Sequence, residues 1–201
     1  DASTRVGLQF QLAEVYDTRL GDAYEAIASY KSVLLESGYE AEPAALEALD
    51  RLFQQEKLWS DLCEVLETRL AHEGDVTRRE ELRFRLGQVL EQDLGDAVGA
   101  IARYRDVIAA IPTHPGARAA LEGLLRNESY RDAAAEVLEP FYRAHQEWDA
   151  LVTSLDLRLA GEGDPTRRHE LGAEIAVLHE QGRRDLVAAF AAWARVLAED
   201  P

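Results

Sequence analysis

Apolar residues recur along this chain at helical spacing. Leu8, Leu12 and Val15 share one face, and Ile27, Tyr30, Val33 and Leu34 share another, at the i, i+3, i+4, i+7 steps of an amphipathic helix. No stretch alternates apolar and polar residues between turn signals, so no strand is expected. Boundary residues punctuate the pattern. Asp22 with Glu25, and Thr77 with Glu80, have capping-box spacing. Asp164-Pro165 reads as an N-cap followed by proline at the first helical position. Gly38, Gly74 and Gly163 fall where helices are expected to stop.

The pattern also repeats. A stretch from Leu12 through Leu20-Gly21-Asp22-Ala23 to Leu34 returns from Leu86 through Leu94-Gly95-Asp96-Ala97 to Ile108. It returns again from Ile175 through Arg184-Asp185-Leu186 to Leu197. The offsets are 74 residues (Asp22 to Asp96) and 89 residues (Asp96 to Asp185). A second family confirms the larger offset: Trp59 with Leu62, Leu66, Arg69 and Leu70 matches Trp148 with Leu151, Leu155, Arg158 and Leu159. That match runs on into Glu73-Gly74-Asp75 and Glu162-Gly163-Asp164.

Each unit reads as two helices and a short turn. Six antiparallel pairs are expected, near 4–37, 43–73, 77–111, 115–139, 140–160 and 165–200. A break or kink is expected at Pro140, which cannot donate the helical hydrogen bond and crowds the carbonyl one turn back. A single short pair cannot bury its own apolar face, so neighbouring pairs must stack. The expected fold is therefore an all-α solenoid forming one array over 1–201.

The second copy carries Leu86-Gly87-x-x-Leu90, Ala100-x-x-x-Tyr104 and Pro112. The first carries Leu12-Ala13-x-x-Tyr16 and Ala26-x-x-x-Tyr30. The third carries Ile175-Ala176-x-x-His179, Ala189-x-x-x-Trp193 and Pro201. This resembles the tetratricopeptide repeat, in tandem arrays similar to those of large bacterial proteins. Ala13, Gly87, Ala176, Ala26, Ala100 and Ala189 supply the small residues needed where helices cross closely. The pattern's early Trp is replaced by Gln9, Arg83 and Gly172, and the turn is one residue longer. The resemblance implies a right-handed superhelix whose concave face binds a partner peptide or helix. Carried over by alignment, the groove residues are Phe10, Glu14 and Asp17 in the first copy. They are Phe84, Gln88, Glu91 and Gln92 in the second, and Glu170, Val177 and Glu180 in the third. The Lys/Asn set that family members use to hold a C-terminal carboxylate is absent.

Composition narrows the function further. The 201 residues include 22 Lys+Arg and 38 Asp+Glu, a net charge of −16. That balance opposes nucleic-acid binding and favours a basic or polar protein partner. Hydrophobic residues at 47% exclude a disordered chain, and a single cysteine excludes a disulfide scaffold. No apolar run is long enough to span a membrane. There is no methionine, even at position 1, so a piece of a longer polypeptide is expected. No signal peptide is visible, and a cytoplasmic setting is the expectation.

No catalytic constellation, cofactor site or metal motif stands out. His169-Glu170 is not followed by the second histidine of a zinc motif, and His179 replaces Tyr16 and Leu90 as packing. Cys63 lies on an apolar face beside Leu62, Val65 and Leu66 and reads as a small hydrophobe. Phe141, Tyr142 and Trp148 read as core around Pro140. The acids, interleaved with arginine, read as solvated helix faces. The expected role is a non-catalytic interaction scaffold. The alternatives are a spacer or self-association module, through an exposed array end, and a regulatory segment attached to an enzyme or signalling domain.

Overall fold

The computed structural model describes residues 2–38 and 43–199, so the closing Pro201 of the third copy lies outside the described residues. Among the described residues all regular structure is helical. The chain divides into two compact units, Asp1–Pro112 and Thr113–Pro201. The first holds α1 (Ala2–Val15), α2 (Ala23–Ser37), α3 (Pro43–Gln55), α4 (Trp59–His72), α5 (Val76–Gln92) and α6 (Ala97–Ala110). The second holds α7 (Pro115–Leu125), α8 (Arg131–Ala144), α9 (Trp148–Gly161), α10 (Pro165–Val177) and α11 (Leu186–Glu199). Within each unit every helix packs on the next one in sequence.

In the first unit one apolar cluster threads these contacts. It runs from Val6 and Ala13 through Ile27 and Leu34, then Leu46, Leu49 and Phe53, then Leu62 and Leu66, to Leu86 and Val89. The small residues sit as their steric role requires: Ala13, Ala26, Ala100, Ala176 and Ala189 are buried. Gly87 shows how close the approach is. A β-carbon there would lie 2.5 Å from Cε1 of the buried Tyr104 ring.

The three look-alike hairpins are α1/α2, α5/α6 and α10/α11. In the first and third, the leading helix widens at its end into a π turn, Tyr16–Leu20 and Leu178–Gly182. All three then close the same way. A left-handed residue (Gly21, Gly95 or Arg184, φ 67°, 70° and 55°) reverses the chain. The next residue is an aspartate whose N–H donates six residues back, Asp22 to Tyr16 O (3.0 Å), Asp96 to Leu90 O (2.7 Å) and Asp185 to His179 O (2.8 Å). This bond reaches one residue further than the 6→1 bond of a Schellman closure. The same aspartate then accepts at its carboxylate from the N–H of Glu25, Gly99 or Ala188, at 3.1, 2.9 and 3.0 Å. One residue thus closes one helix and caps the next, which accounts for the longer turn.

The 89-residue offset is structural as well. Shifted by 89, α3, α4, α5 and α6 fall on α8, α9, α10 and α11. The 15 residues by which this offset exceeds 74 are the 15 by which the α6–α8 segment, 111–130, exceeds the α2–α3 segment, 38–42. The extra residues make α7, which packs on α8.

Three expectations are corrected. Of the break or kink expected at Pro140, the break does not occur, because α8 runs through the proline. Pro140 and Glu136, whose carbonyl loses its donor, are both exposed, so water can satisfy that carbonyl. Meanwhile Ala134, Ala135, Leu138 and Tyr142 hold the opposite face in the core. The divisions at 115–139 and 140–160 therefore give way to three helices, α7, α8 and α9. Thr77 does not cap α5. Asp75 does, accepting from Arg78 N–H at 2.9 Å, and Glu80 is buried between Arg79 and Arg83. Nor are the acids only solvated faces, since Asp50, Glu80 and Glu139 are buried.

Two of those acids, Asp50 and Glu139, join helices. Asp50 of α3 pairs with Arg69 of α4 and with Arg85 of α5, whose Nη1 donates to Oδ2 at 2.7 Å. Glu139, 89 residues on, accepts from Arg158 Nη1 (3.1 Å) and from the buried Ser154 hydroxyl (2.9 Å), both on α9. In the second unit Arg118 of α7 donates to Glu122 (2.8 Å) and to Glu147 (2.9 Å), the N-cap of α9. It lies over the rings of Phe141 and Tyr142. Those aromatics pack as expected, while Trp148 lies against Gly182, where a β-carbon would meet the indole at 3.1 Å.

Candidate interaction surface

The residues singled out by alignment lie on the leading helices of the three hairpins. Their neighbours divide them into two groups.

The first group is engaged within the fold. Phe10 meets Tyr30 of α2 edge-on, with ring centroids 5.5 Å apart and planes at 70°. Phe84 meets Tyr104 of α6 at 5.7 Å and 45°. Asp17 pairs with Arg51 of α3 and its carboxylate is largely covered. Glu91 accepts from the Tyr104 hydroxyl at 2.7 Å. Burial, then this hydrogen bond and the charge of Glu91, push the Tyr104 phenol well above its ordinary range. Asp17, Glu91 and Glu180 occupy one repeat position, which is acidic in all three hairpins, and two of the three acids are committed to intramolecular partners.

The second group faces solvent. Glu14, Gln92, Glu170, Val177 and Glu180 are exposed, and Gln88 is half-buried. Glu14, Gln88 and Val177 share one repeat position, so it is acidic, polar and apolar in turn. In the second unit Glu170 and Val177 lie on α10 and Glu180 on the π turn that follows it.

The first unit also holds a cleft of about 260 Å³ that the residue pattern did not point to. Lys31 and Leu34 of α2, Leu49 and Phe53 of α3, and Asp61 and Val65 of α4 line it. Lys31 Nζ donates to Asp61 at 2.7 Å and sits 5.1 Å from the centroid of the Phe53 ring. The lining combines apolar side chains with one cation, Lys31, and two anions, Asp61 and Glu64. The only sequence signal was Lys31 itself, one of two lysines in an arginine-rich chain.

Cys63 and His179 serve packing. Cys63 is half-buried against the core, and burial raises its thiol pKa, with Glu67 adding to the rise. A thiol so placed stays protonated and is a poor nucleophile. His179 is buried and accepts from Arg183 Nη1 on Nδ1 at 3.1 Å. Among the described residues no group of three or more His, Cys, Asp or Glu could hold a metal ion. No helix there is long and apolar enough to cross a membrane. Compared with known proteins, the chain matches no family model and no curated protein.

Proposed function

We propose that the chain is a non-catalytic protein-interaction scaffold of the tetratricopeptide type. In this reading the hairpins stack as one right-handed solenoid, and the leading helices α1, α5 and α10 line the face that receives a basic or polar peptide or helix. The carrying observation is the exposure of Glu14, Gln92, Glu170 and Glu180 on helices whose opposite sides are buried in hairpin packing. Exposed acids on a chain of net charge −16 raise the local concentration of cationic segments and speed their encounter. Each exposed ion pair contributes only about 0.2–1 kcal/mol, so affinity needs several together with an apolar contact. Val177 offers one such contact on the same helix as Glu170.

The test is a pull-down on an array of basic, neutral and acidic helical peptides. It compares the wild type with the triple variant Glu14→Lys, Glu170→Lys, Glu180→Lys. These three positions are exposed, whereas Asp17 and Glu91 also hold the fold. Basic peptides are captured by the wild type at low salt and lost by the variant. Capture that ignores charge reversal, or no capture at all, removes the groove reading.

A further inference from the structure

Two helices expose apolar residues at repeat positions that are buried or half-buried in the other copies. On α11, Phe190 is 78% exposed and Leu197 is exposed with it. Their counterparts 89 residues earlier are Ile101, 6% exposed, and Ile108, also buried. Those 74 residues earlier again are Ile27 and Leu34, both buried. Val187 belongs elsewhere, because its counterparts Tyr24 and Val98 are exposed as well. On α1, Leu8 is exposed and Leu12 is 48% exposed, with Val15 beside them. Their counterparts on α5 are a half-buried Leu82, Leu86 at 1%, and a buried Val89. On α10 and the π turn that follows it they are Leu171, Ile175 and Leu178, all buried.

The covered copies show what belongs on each face. On α2, Ile27 and Leu34 share a core cluster with Ala45, Leu46 and Leu49 of α3, the leading helix that follows. On α5, Leu86 and Val89 share that cluster with Leu62, Val65 and Leu66 of α4, the trailing helix that precedes it. The α11 face therefore fits a leading helix, and the α1 face fits a trailing helix. One junction supplies both at once.

We propose that α11 of one copy docks against α1 of a second copy, head to tail. Phe190 and Leu197 then pack against Leu8, Leu12 and Val15, as α2 packs against α3 and α4 against α5. The contact is heterologous, since each copy gives one face and receives the other. It is independent of the peptide-groove reading and opposite to it in salt dependence. Each copy carries −16, so screening favours this association and weakens the binding of a basic peptide.

Sedimentation equilibrium of the whole chain, up to about 1 mM and at two salt concentrations, tests it. The weight-average mass is expected to rise with concentration, and more steeply at high salt. Two blocked variants decide the geometry, Phe190→Glu/Leu197→Glu and Leu8→Glu/Leu12→Glu. All four positions are exposed, and circular dichroism verifies that the helices remain. Each variant alone is expected to be monomeric, and an equimolar mixture to form a one-to-one dimer that grows no further. A wild type that stays monomeric overturns the proposal, because the two faces then belong to some other helix. A mixture that stays monomeric overturns it as well. So does an α1-blocked variant that still self-associates, which would mean that α11 pairs with α11.

Discussion

The segments α3–α6 and α8–α11 are two renderings of one design, and their differences separate what the fold requires from what it tolerates. Both bury an acid on the first helix and hold it with an arginine on the second, Asp50 with Arg69 and Glu139 with Arg158. Both turn between those helices through a left-handed, non-glycine residue, Lys57 or Gln146, each at φ 57°. Both start the third helix at an aspartate cap, Asp75 or Asp164. The details around these fixed points differ. The first copy gives its acid a second arginine, Arg85, where the second has Glu174 and recruits the Ser154 hydroxyl instead. Glu80, buried in the first copy, becomes an exposed His169. The final helix is covered on one face at Ile101 and Ile108 in the first copy and open at Phe190 and Leu197 in the second. Helix ends and a buried acid–arginine link are kept, then, while the second partner and the covering of the last helix vary.

The sharpest break of this comparison is at the arginines. Removing Arg158 leaves Glu139 with one hydroxyl partner, so Arg158→Ala is expected to cost about 3 kcal/mol in urea denaturation. Arg69→Ala leaves Asp50 with Arg85 and is expected to cost about 1–2 kcal/mol. Equal losses would mean that the second arginine adds nothing. Next comes Gly87, whose counterparts are Ala13 and Ala176. Gly87→Ala drives a methyl into the buried Tyr104 ring and is expected to destabilise by about 1–3 kcal/mol, despite the better helix propensity of alanine. A stabilised Gly87→Ala protein would show that the Tyr104 ring yields.

Alkali separates the copies by one residue each. Tyr104 faces Trp193 in the alignment, and Tyr142 faces Phe53. Burial first, then Glu91 or Glu122, pushes both phenols well above the ordinary tyrosine range. The folded state therefore keeps protons that the unfolded chain loses above about pH 10. The tyrosines' contribution is whole below that pH. It falls by up to about 1.4 kcal/mol per pH unit per tyrosine as pH rises toward the folded values. Tyr104→Phe is expected to flatten that slope by one tyrosine's share, and an unchanged slope would place the proton loss elsewhere. The smallest effect is a gain. Arg184 holds the left-handed position that Gly21 and Gly95 fill in the other hairpins. Arg184→Gly is expected to stabilise by about 1 kcal/mol, and a loss would mean that the arginine side chain makes compensating contacts.

Much of this was legible in the residues. Helical periodicity, the repeats and the small crossing residues follow from patterns that depend only on spacing. The caps at Asp22 and Asp164 were also readable, because the right residue type stands at the right offset. Thr77 misled because Asp75, two residues earlier, is an equally good cap former, and only the helix start decides between them. Pro140 misled because the cost of a helical proline depends on whether its orphaned carbonyl meets water, and the sequence does not state which way that carbonyl faces. Asp50 and Glu139 looked like solvated acids because their arginines lie 19 residues away, beyond any local pattern, although that spacing recurs at the 89-residue offset. Among the groove candidates, alignment transferred positions without partners. It could not show that Asp17 answers Arg51, or that Glu91 answers Tyr104.

The face assigned to the partner is the claim on which the functional account turns, and footprinting tests it most directly. Glu14, Gln88 and Val177 occupy one repeat position on the three leading helices. A photo-crosslinking amino acid placed at each in turn, with a captured basic peptide bound, is expected to label the peptide from all three positions. Control positions on trailing helices, Tyr24 and Val98, are exposed and are expected to give none. Crosslinks from Tyr24 or Val98 with none from 14, 88 or 177 would place the partner on the other side of the hairpins and contradict the account.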